Sequence, residues 1–111
     1  MPKNPKPTET MARNAARGLF LRSEQPPSRR GGTAIGIARA RDIRARRPLS
    51  YETIERMLSF FARHEVDKKA EGFRRGEKGY PSKGLQAWLL WGGDAGRAWA
   101  RARLAEREGY E

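Results

Sequence analysis

Hydrophobic side chains recur three and four residues apart in five segments of the chain, which is the spacing of one helical face. The pattern is clearest at Ile54, Leu58 and Phe61, which follow Ser50, a residue type that caps helices. No segment alternates hydrophobic and polar residues as a half-buried strand does. The sequence therefore predicts an all-α fold, a compact bundle of four to five short helices with a flexible basic N-terminal tail.

Caps and prolines set the predicted helix ends, because the residue before a proline resists the helical region. Thr8 or Thr10 caps the first helix, which ends before Pro26. The other predicted helices span residues 34–44, 51 to 64 or 65, 83–91 and 95 to about 108, and residues 66–80 form a long loop. Residues 1–9 are predicted to be the flexible tail, and residues 10–109 a single helical domain.

The same periodicity predicts the hydrophobic core. Trp88 and Trp91 are three residues apart in a segment that is rich in leucine, which favours burial over stacking on the bases of a single-stranded nucleic acid. The predicted core consists of Leu19, Phe20, Ile35, Ile54, Leu58, Phe61, Trp88, Trp91 and Trp99.

Charge is distributed unevenly along the 111 residues. The net charge of the chain is +11, and residues 1–50 hold twelve Lys and Arg against three acids, so that this half alone carries +9. A one-sided positive field attracts a polyanion, most often nucleic acid, and otherwise an acidic protein or anionic lipid. The absence of cysteine excludes disulfides, a thiolate zinc site and a thiol nucleophile.

The arginines of the first half and the basic residues of the long loop are the predicted contacts to DNA phosphates. They are Arg29, Arg30, Arg41, Arg44, Arg46, Arg47, Arg74, Arg75 and Lys78. Such contacts give affinity without sequence specificity, and no recognition helix is evident. Phe73 and Tyr80 stand among the loop cations, where exposed aromatic rings would add to a nucleic-acid contact.

Two polar motifs have both a structural and a functional interpretation. Gly31-Gly32-Thr33 is either an N-cap turn or a phosphate contact at a helix N-terminus. A second cluster is predicted to form a semi-buried ion-pair network, in which Glu65 pairs with Arg39; its members are Arg39, His64, Glu65 and Asp67. Its alternative is an enzyme that uses His64 with Glu65 or Asp67. We expect no enzymatic activity, no metal and no cofactor, since a single histidine cannot complete a zinc site of the HExxH type.

Three segments of the chain resemble a small domain of tailed-bacteriophage genomes. They are RGGTAIGIARARDI, LSYETIERMLSFFARHEVDKK and GEKGYPSKGLQAWLLWGGDAGRAWA, and the resemblance covers about residues 10–102. That family has no assigned activity, and its members stand alone or are joined to head-assembly proteins such as prohead proteases. Lys83 and Gln86 depart from it where we expect its members to vary. The resemblance implies a phage origin and a place near virion assembly or the packaged genome, and it carries no catalytic residues.

These observations predict a non-enzymatic phage protein of the virion or the host cytoplasm. The first hypothesis is a virion- or genome-associated protein that binds DNA phosphates through its basic N-terminal half. The alternative is a structural head or neck component that binds acidic surfaces of capsid or portal proteins, anchored by Leu19, Phe20 or Tyr110. We expect no contact with a membrane, because the longest apolar run, from Ala87 to Trp91, has five residues.

Overall fold

A computed structural model describes residues 3–108 of the chain. No strand occurs in this range, and the all-α prediction is confirmed. The helices are α1 (Glu9–Ser23), α2 (Ala34–Arg44), α3 (Tyr51–His64), α4 (Lys83–Leu90) and α5 (Gly93–Glu108), and two short 3-10 turns span Pro27–Arg29 and Glu65–Lys69.

The first four helices each begin at a hydroxyl side chain that accepts a backbone N–H three residues later. Such a cap satisfies one of the donors that a helix N-terminus leaves without an intrahelical partner. The capping residues are Thr8, Thr33, Ser50 and Ser82. Because these signals are local in the sequence, the predicted starts of α2, α3 and α4 coincide with the observed ones.

Helix α1 packs against α2, α4 and α5, while α3 packs mainly against α5. The approach of α1 to α4 is close at Gly18, where an added Cβ atom would lie 2.9 Å from both Leu89 Cβ and the Leu90 backbone nitrogen. A glycine is therefore required at this crossing. The Asn14 side chain adds a hydrogen bond of 2.8 Å to the Gly92 carbonyl, just before α5.

The centre of the core is aromatic. Phe61 and Trp88 meet edge to face, with ring centroids 4.8 Å apart, and Phe60 stacks on Trp91 at 5.2 Å. Five of the predicted core residues lie buried, and two more, Leu19 and Leu58, are partly buried and pack against the same cluster. The buried five are Ile54, Phe61, Trp88, Trp91 and Trp99.

The prediction that Phe20 and Ile35 belong to the core is wrong, since their exposed fractions are 60% and 64%. The buried face of α1 contains Gly18, and a residue two positions later lies about 200° further round the helix. Helix α2 turns Gly36 toward Trp91, which leaves the preceding Ile35 at the surface.

The segment before α1 is held against the domain. Pro7 is fully buried, its carbonyl accepts a hydrogen bond of 2.8 Å from Arg46 Nε, and the Pro5 carbonyl accepts one of 2.9 Å from the Leu49 N–H. A proline can be buried without leaving an unsatisfied N–H, because it has none. Pro5 to Thr8 therefore belong to the folded domain rather than to the predicted tail, whose first two residues lie outside the described range.

The substitution Gly18→Ala tests the close approach of α1 to α4. Alanine ordinarily stabilises a helix by about 1 kcal/mol relative to glycine. Here the added methyl group meets Leu89 and the α4 backbone, so we expect the free energy of unfolding to fall by about 1–3 kcal/mol. Urea denaturation measures the change, and a variant more stable than the wild type would contradict the close approach.

Candidate nucleic-acid-binding groove

A groove of about 870 Å³ opens at the surface beside the start of α2. One side is formed by residues 30–35, which lead into α2, and the other by α3 from Arg56 to His64. Ala87 of α4 and Trp91, which directly follows that helix, lie at its base. We refer to it as the α2–α3 groove.

The charged residues that line the α2–α3 groove are mostly basic. Four of them are cations, namely Arg30, Arg56, Arg63 and Lys83, whereas Asp67 is the one carboxylate among the lining residues. Arg56 pairs with Glu52 outside the lining at 2.7 Å. Arg63 and Lys83 are exposed and have no carboxylate partner among residues 3–108. The groove therefore presents a net positive charge.

Three stacked rings lead from the core into the groove. Phe60 lies between Trp91, at a centroid distance of 5.2 Å, and His64, at 4.6 Å. The exposed fractions of Phe60 and Trp91 are 6% and 8%, whereas the His64 side chain is 41% exposed. His64 is therefore the solvent-facing end of an aromatic stack that is otherwise buried.

The fully buried side chain of Gln86 fixes the wall of the groove that carries Arg30. Its Oε1 atom accepts the Gly31 N–H at 2.8 Å, and its Nε2 atom donates to the carbonyls of Arg29 at 3.1 Å and Pro81 at 3.0 Å. The wall lies so close to α4 that a Cβ atom on Gly31 would be 2.2 Å from the Lys83 carbonyl oxygen. These contacts bring Arg30 and Lys83 to the same rim.

The role of Gln86 is absent from the sequence predictions. The signal that the sequence offers is the position of Gln86, a polar residue among Leu85, Ala87 and Trp88, which are all buried. A neutral amide in such a position needs hydrogen-bond partners, since burying it unpaired costs free energy. The sequence alone does not show that two of its three partners lie more than 50 residues earlier in the chain.

The long loop lies beside this wall. Arg29 donates to the Gly79 carbonyl at 3.2 Å, and Arg17 of α1 donates to the Tyr80 hydroxyl. Phe73, which the sequence predicts to be an exposed contact, instead packs edge to face on Trp88 at 6.4 Å. The loop cations that remain exposed are Arg74, Arg75 and Lys78.

The other predicted phosphate contacts lie at the far end of α2, which is about 16 Å long. Arg41 and Arg44 are exposed there. Arg47 pairs with Asp42 at 2.9 Å, and Arg46 is held by the Pro7 carbonyl. The predicted contacts thus form two groups, one around the groove and loop and one at the end of α2.

The predicted pairing of Glu65 with Arg39 is wrong. Arg39 pairs with Asp42 one turn later at 3.1 Å, and Glu65 pairs with Arg97 of α5 at 3.3 Å. The physical reason is that the groove separates α3 from α2, the helix that carries Arg39. Because α3 packs directly on α5, Glu65 reaches Arg97 instead.

His64 and Asp67 form a local pair, with 3.0 Å between His64 Nδ1 and Asp67 Oδ2. The contact spans one helical turn and orients the imidazole ring at the groove. Within residues 3–108, no group of three or more histidine, aspartate or glutamate side chains could hold a metal ion.

Asp94 at the start of α5 connects Trp88 with two cations. Its Oδ1 atom accepts hydrogen bonds of 2.9 Å from Trp88 Nε1 and from Lys68 Nζ, while Lys68 and Arg97 lie 5.2 and 5.3 Å from the Trp88 ring centroid. Burial raises the pKa of Asp94, but the hydrogen bonds from Lys68 and Trp88 and the charges of Lys68 and Arg97 outweigh it. The pKa therefore lies below its ordinary value of 3.8.

Comparisons of the chain with protein-family models, with curated proteins and with solved structures returned no match. None of the helices in the described range is long and apolar enough to span a membrane.

The substitution Gln86→Met tests the buried amide at nearly constant side-chain volume. It leaves the Gly31 N–H and two carbonyl groups without their partner, so we expect the free energy of unfolding to fall by about 2 kcal/mol or more. Gln25→Met is the matched control, because no hydrogen bond of the Gln25 side chain occurs within residues 3–108. Equal unfolding midpoints for the two variants in urea would refute the role of Gln86.

The substitution Asp94→Asn tests how the contribution of the Asp94 carboxylate to folding stability depends on pH. Because the pKa of folded Asp94 is lowered, its stabilising contribution is complete above the ordinary carboxyl pKa and is lost as the pH falls through the lowered value. We expect the Tm difference between wild type and variant to be largest above about pH 5 and to shrink as the pH falls below the ordinary carboxyl pKa. The effect is modest, since 66% of the Asp94 side chain is exposed and water screens its charge.

Thermal unfolding across this pH range measures the Asp94 effect. Glu24→Gln is the control, because no hydrogen bond or ion pair of the Glu24 side chain occurs in the described part of the chain. A Tm difference for Asp94→Asn that is the same at every pH would show that the carboxylate charge has no part in the network.

Proposed function

We propose that the protein is a non-enzymatic DNA-contacting protein of a tailed bacteriophage, associated with the virion or the packaged genome. The observation that carries the proposal is a continuous set of exposed or half-exposed cations without carboxylate partners among residues 3–108. It begins at Arg29 and the loop cation Lys78 and continues through Arg30 to Lys83 and Arg63 on the groove rim.

Cations without carboxylate partners repel one another, and a bound polyanion removes that repulsion. Each phosphate that a lysine or arginine neutralises also releases a condensed counterion, which supplies affinity that does not depend on base sequence. Arg41 and Arg44 extend the positive surface to the far end of α2. The phage assignment rests on the resemblance of the three sequence segments, and it is independent of the charge argument.

Fluorescence anisotropy with a labelled random-sequence duplex tests the proposal across a range of salt concentrations. We expect the slope of log K against log salt to correspond to about five or more phosphates. The double variant Arg63→Gln/Lys83→Gln should lower the slope by about two phosphate contacts, and Arg41→Gln/Arg44→Gln by a similar amount.

Lys69→Gln/Arg101→Gln is the control, because it removes the same formal charge from two exposed cations that have no carboxylate partner among residues 3–108 and do not line the groove. A similar loss of slope in this control would mean that net charge alone determines binding. No binding of the wild type at physiological salt to this duplex or to a single strand would reject DNA as the partner.

One observation favours a second candidate, a structural head or neck component that binds capsid or portal proteins. Phe20 is 60% exposed on α1, and Leu19 beside it is partly buried. An exposed phenylalanine is typical of the anchors of protein–protein contacts. Tyr110, the other predicted anchor, lies outside the described residues. Binding to a portal or capsid subunit that persists at high salt and is lost in Phe20→Ser would favour this candidate over DNA.

A further inference from the structure

We propose that the α2–α3 groove binds an unpaired nucleotide, so that the protein prefers single-stranded over double-stranded nucleic acid. The inference rests on the proposed function and specifies its ligand. It is carried by the combination, in one groove, of an exposed ring at the end of a buried stack and a rim of cations.

The stacked rings provide a fixed platform. Trp91 and Phe60 are buried and cannot turn away from each other, and they support the ring of His64 from below. The hydrogen bond to Asp67 restrains the same ring at its Nδ1 edge. A planar base that enters the groove would extend the stack by a fourth ring. Base–aromatic stacking of this kind is the main sequence-tolerant contact of proteins that bind single strands.

The charges on the rim complement a phosphodiester. Arg30 and Lys83 lie on one side of the groove, and Arg63 lies one residue before His64 on the other side. A strand with its base on His64 thus has cations available for the phosphates on either side of that nucleotide. Asp67, the one acid of the lining, is engaged by His64. The groove therefore suits an anionic ligand that contains a planar ring.

The shape of the site discriminates against a duplex. A volume of about 870 Å³ is in the range of sites for single small-molecule ligands. Inside a duplex both faces of each base are covered by neighbouring bases, so a base could reach His64 only by leaving the stack, at a cost in free energy. Duplex DNA can still contact the rim through its phosphates. We therefore expect weaker binding of duplexes, without their exclusion.

Two substitutions at His64 separate stacking from hydrogen bonding. His64→Asn keeps a group that can donate to Asp67 and removes the ring, whereas His64→Phe keeps a ring and removes the hydrogen bond. We expect His64→Asn to weaken binding of a labelled 12-nucleotide single strand by about tenfold and to leave a 12-base-pair duplex unaffected. His64→Phe should retain single-strand affinity within about twofold of the wild type.

Anisotropy titrations at one physiological salt concentration measure both affinities, and thermal unfolding verifies that each variant is folded. Equal wild-type affinities for strand and duplex, or unchanged single-strand affinity of folded His64→Asn, would overturn the groove inference and leave the proposed function standing. If the wild type binds neither the strand nor the duplex, both the groove inference and the proposed function are overturned. Single-strand binding that is equally lost in His64→Asn and His64→Phe would mean that an aromatic ring at this position is not sufficient for binding, and would also overturn the stacking inference.

A second readout needs no variant. A strand with a central 2-aminopurine should lose base fluorescence when it binds the wild-type protein, because stacking on an aromatic ring quenches that base. Binding by anisotropy without such quenching would place the base outside the stack and reject the proposal.

Discussion

The hydrogen bonds of Gln86 are the constraint on which the groove depends. Its amide joins three backbone groups from two distant parts of the chain, at the carbonyl of Arg29, the N–H of Gly31 and the carbonyl of Pro81. Hydrophobic packing alone is non-directional and would tolerate small shifts of this loop. A buried amide tolerates few such shifts, because each lost hydrogen-bond partner leaves an unsatisfied polar group. The buried amide of Gln86 thus determines where the cations lie on the rim of the groove.

Helix α4 links the interior to the surface. Its residues from Leu85 to Leu90 are all buried, and the helix contacts α1, α2, α3 and α5. The groove forms because the start of α2 and the second half of α3 meet α4 at its sides and leave a space between them. Trp91, at the end of α4, therefore belongs both to the core and to the base of the groove.

The helices could be predicted from the sequence because their signals are local, as with Ser50 before α3 and Thr33 before α2. Burial was harder to predict, because it depends on which neighbour a helix face meets. Ile35 has the spacing of a core residue but lies at the rim of the groove. Of the candidate site, the surplus of arginines was evident, whereas the stack that ends at His64 was not, since Phe60 and Trp91 are thirty-one residues apart.

The packing of α1 on α4 and α5 has a consequence for how the chain acquires its structure. Helix α1 leaves the ribosome before α4 and α5 and packs against both, and the Asn14 side chain donates to a carbonyl 78 residues later. Contacts between residues so far apart in the chain stabilise the fold only after a long loop has closed. The entropy lost in closing that loop slows folding. The buried face of α1 can therefore reach its native packing only after α4 and α5 have been synthesised.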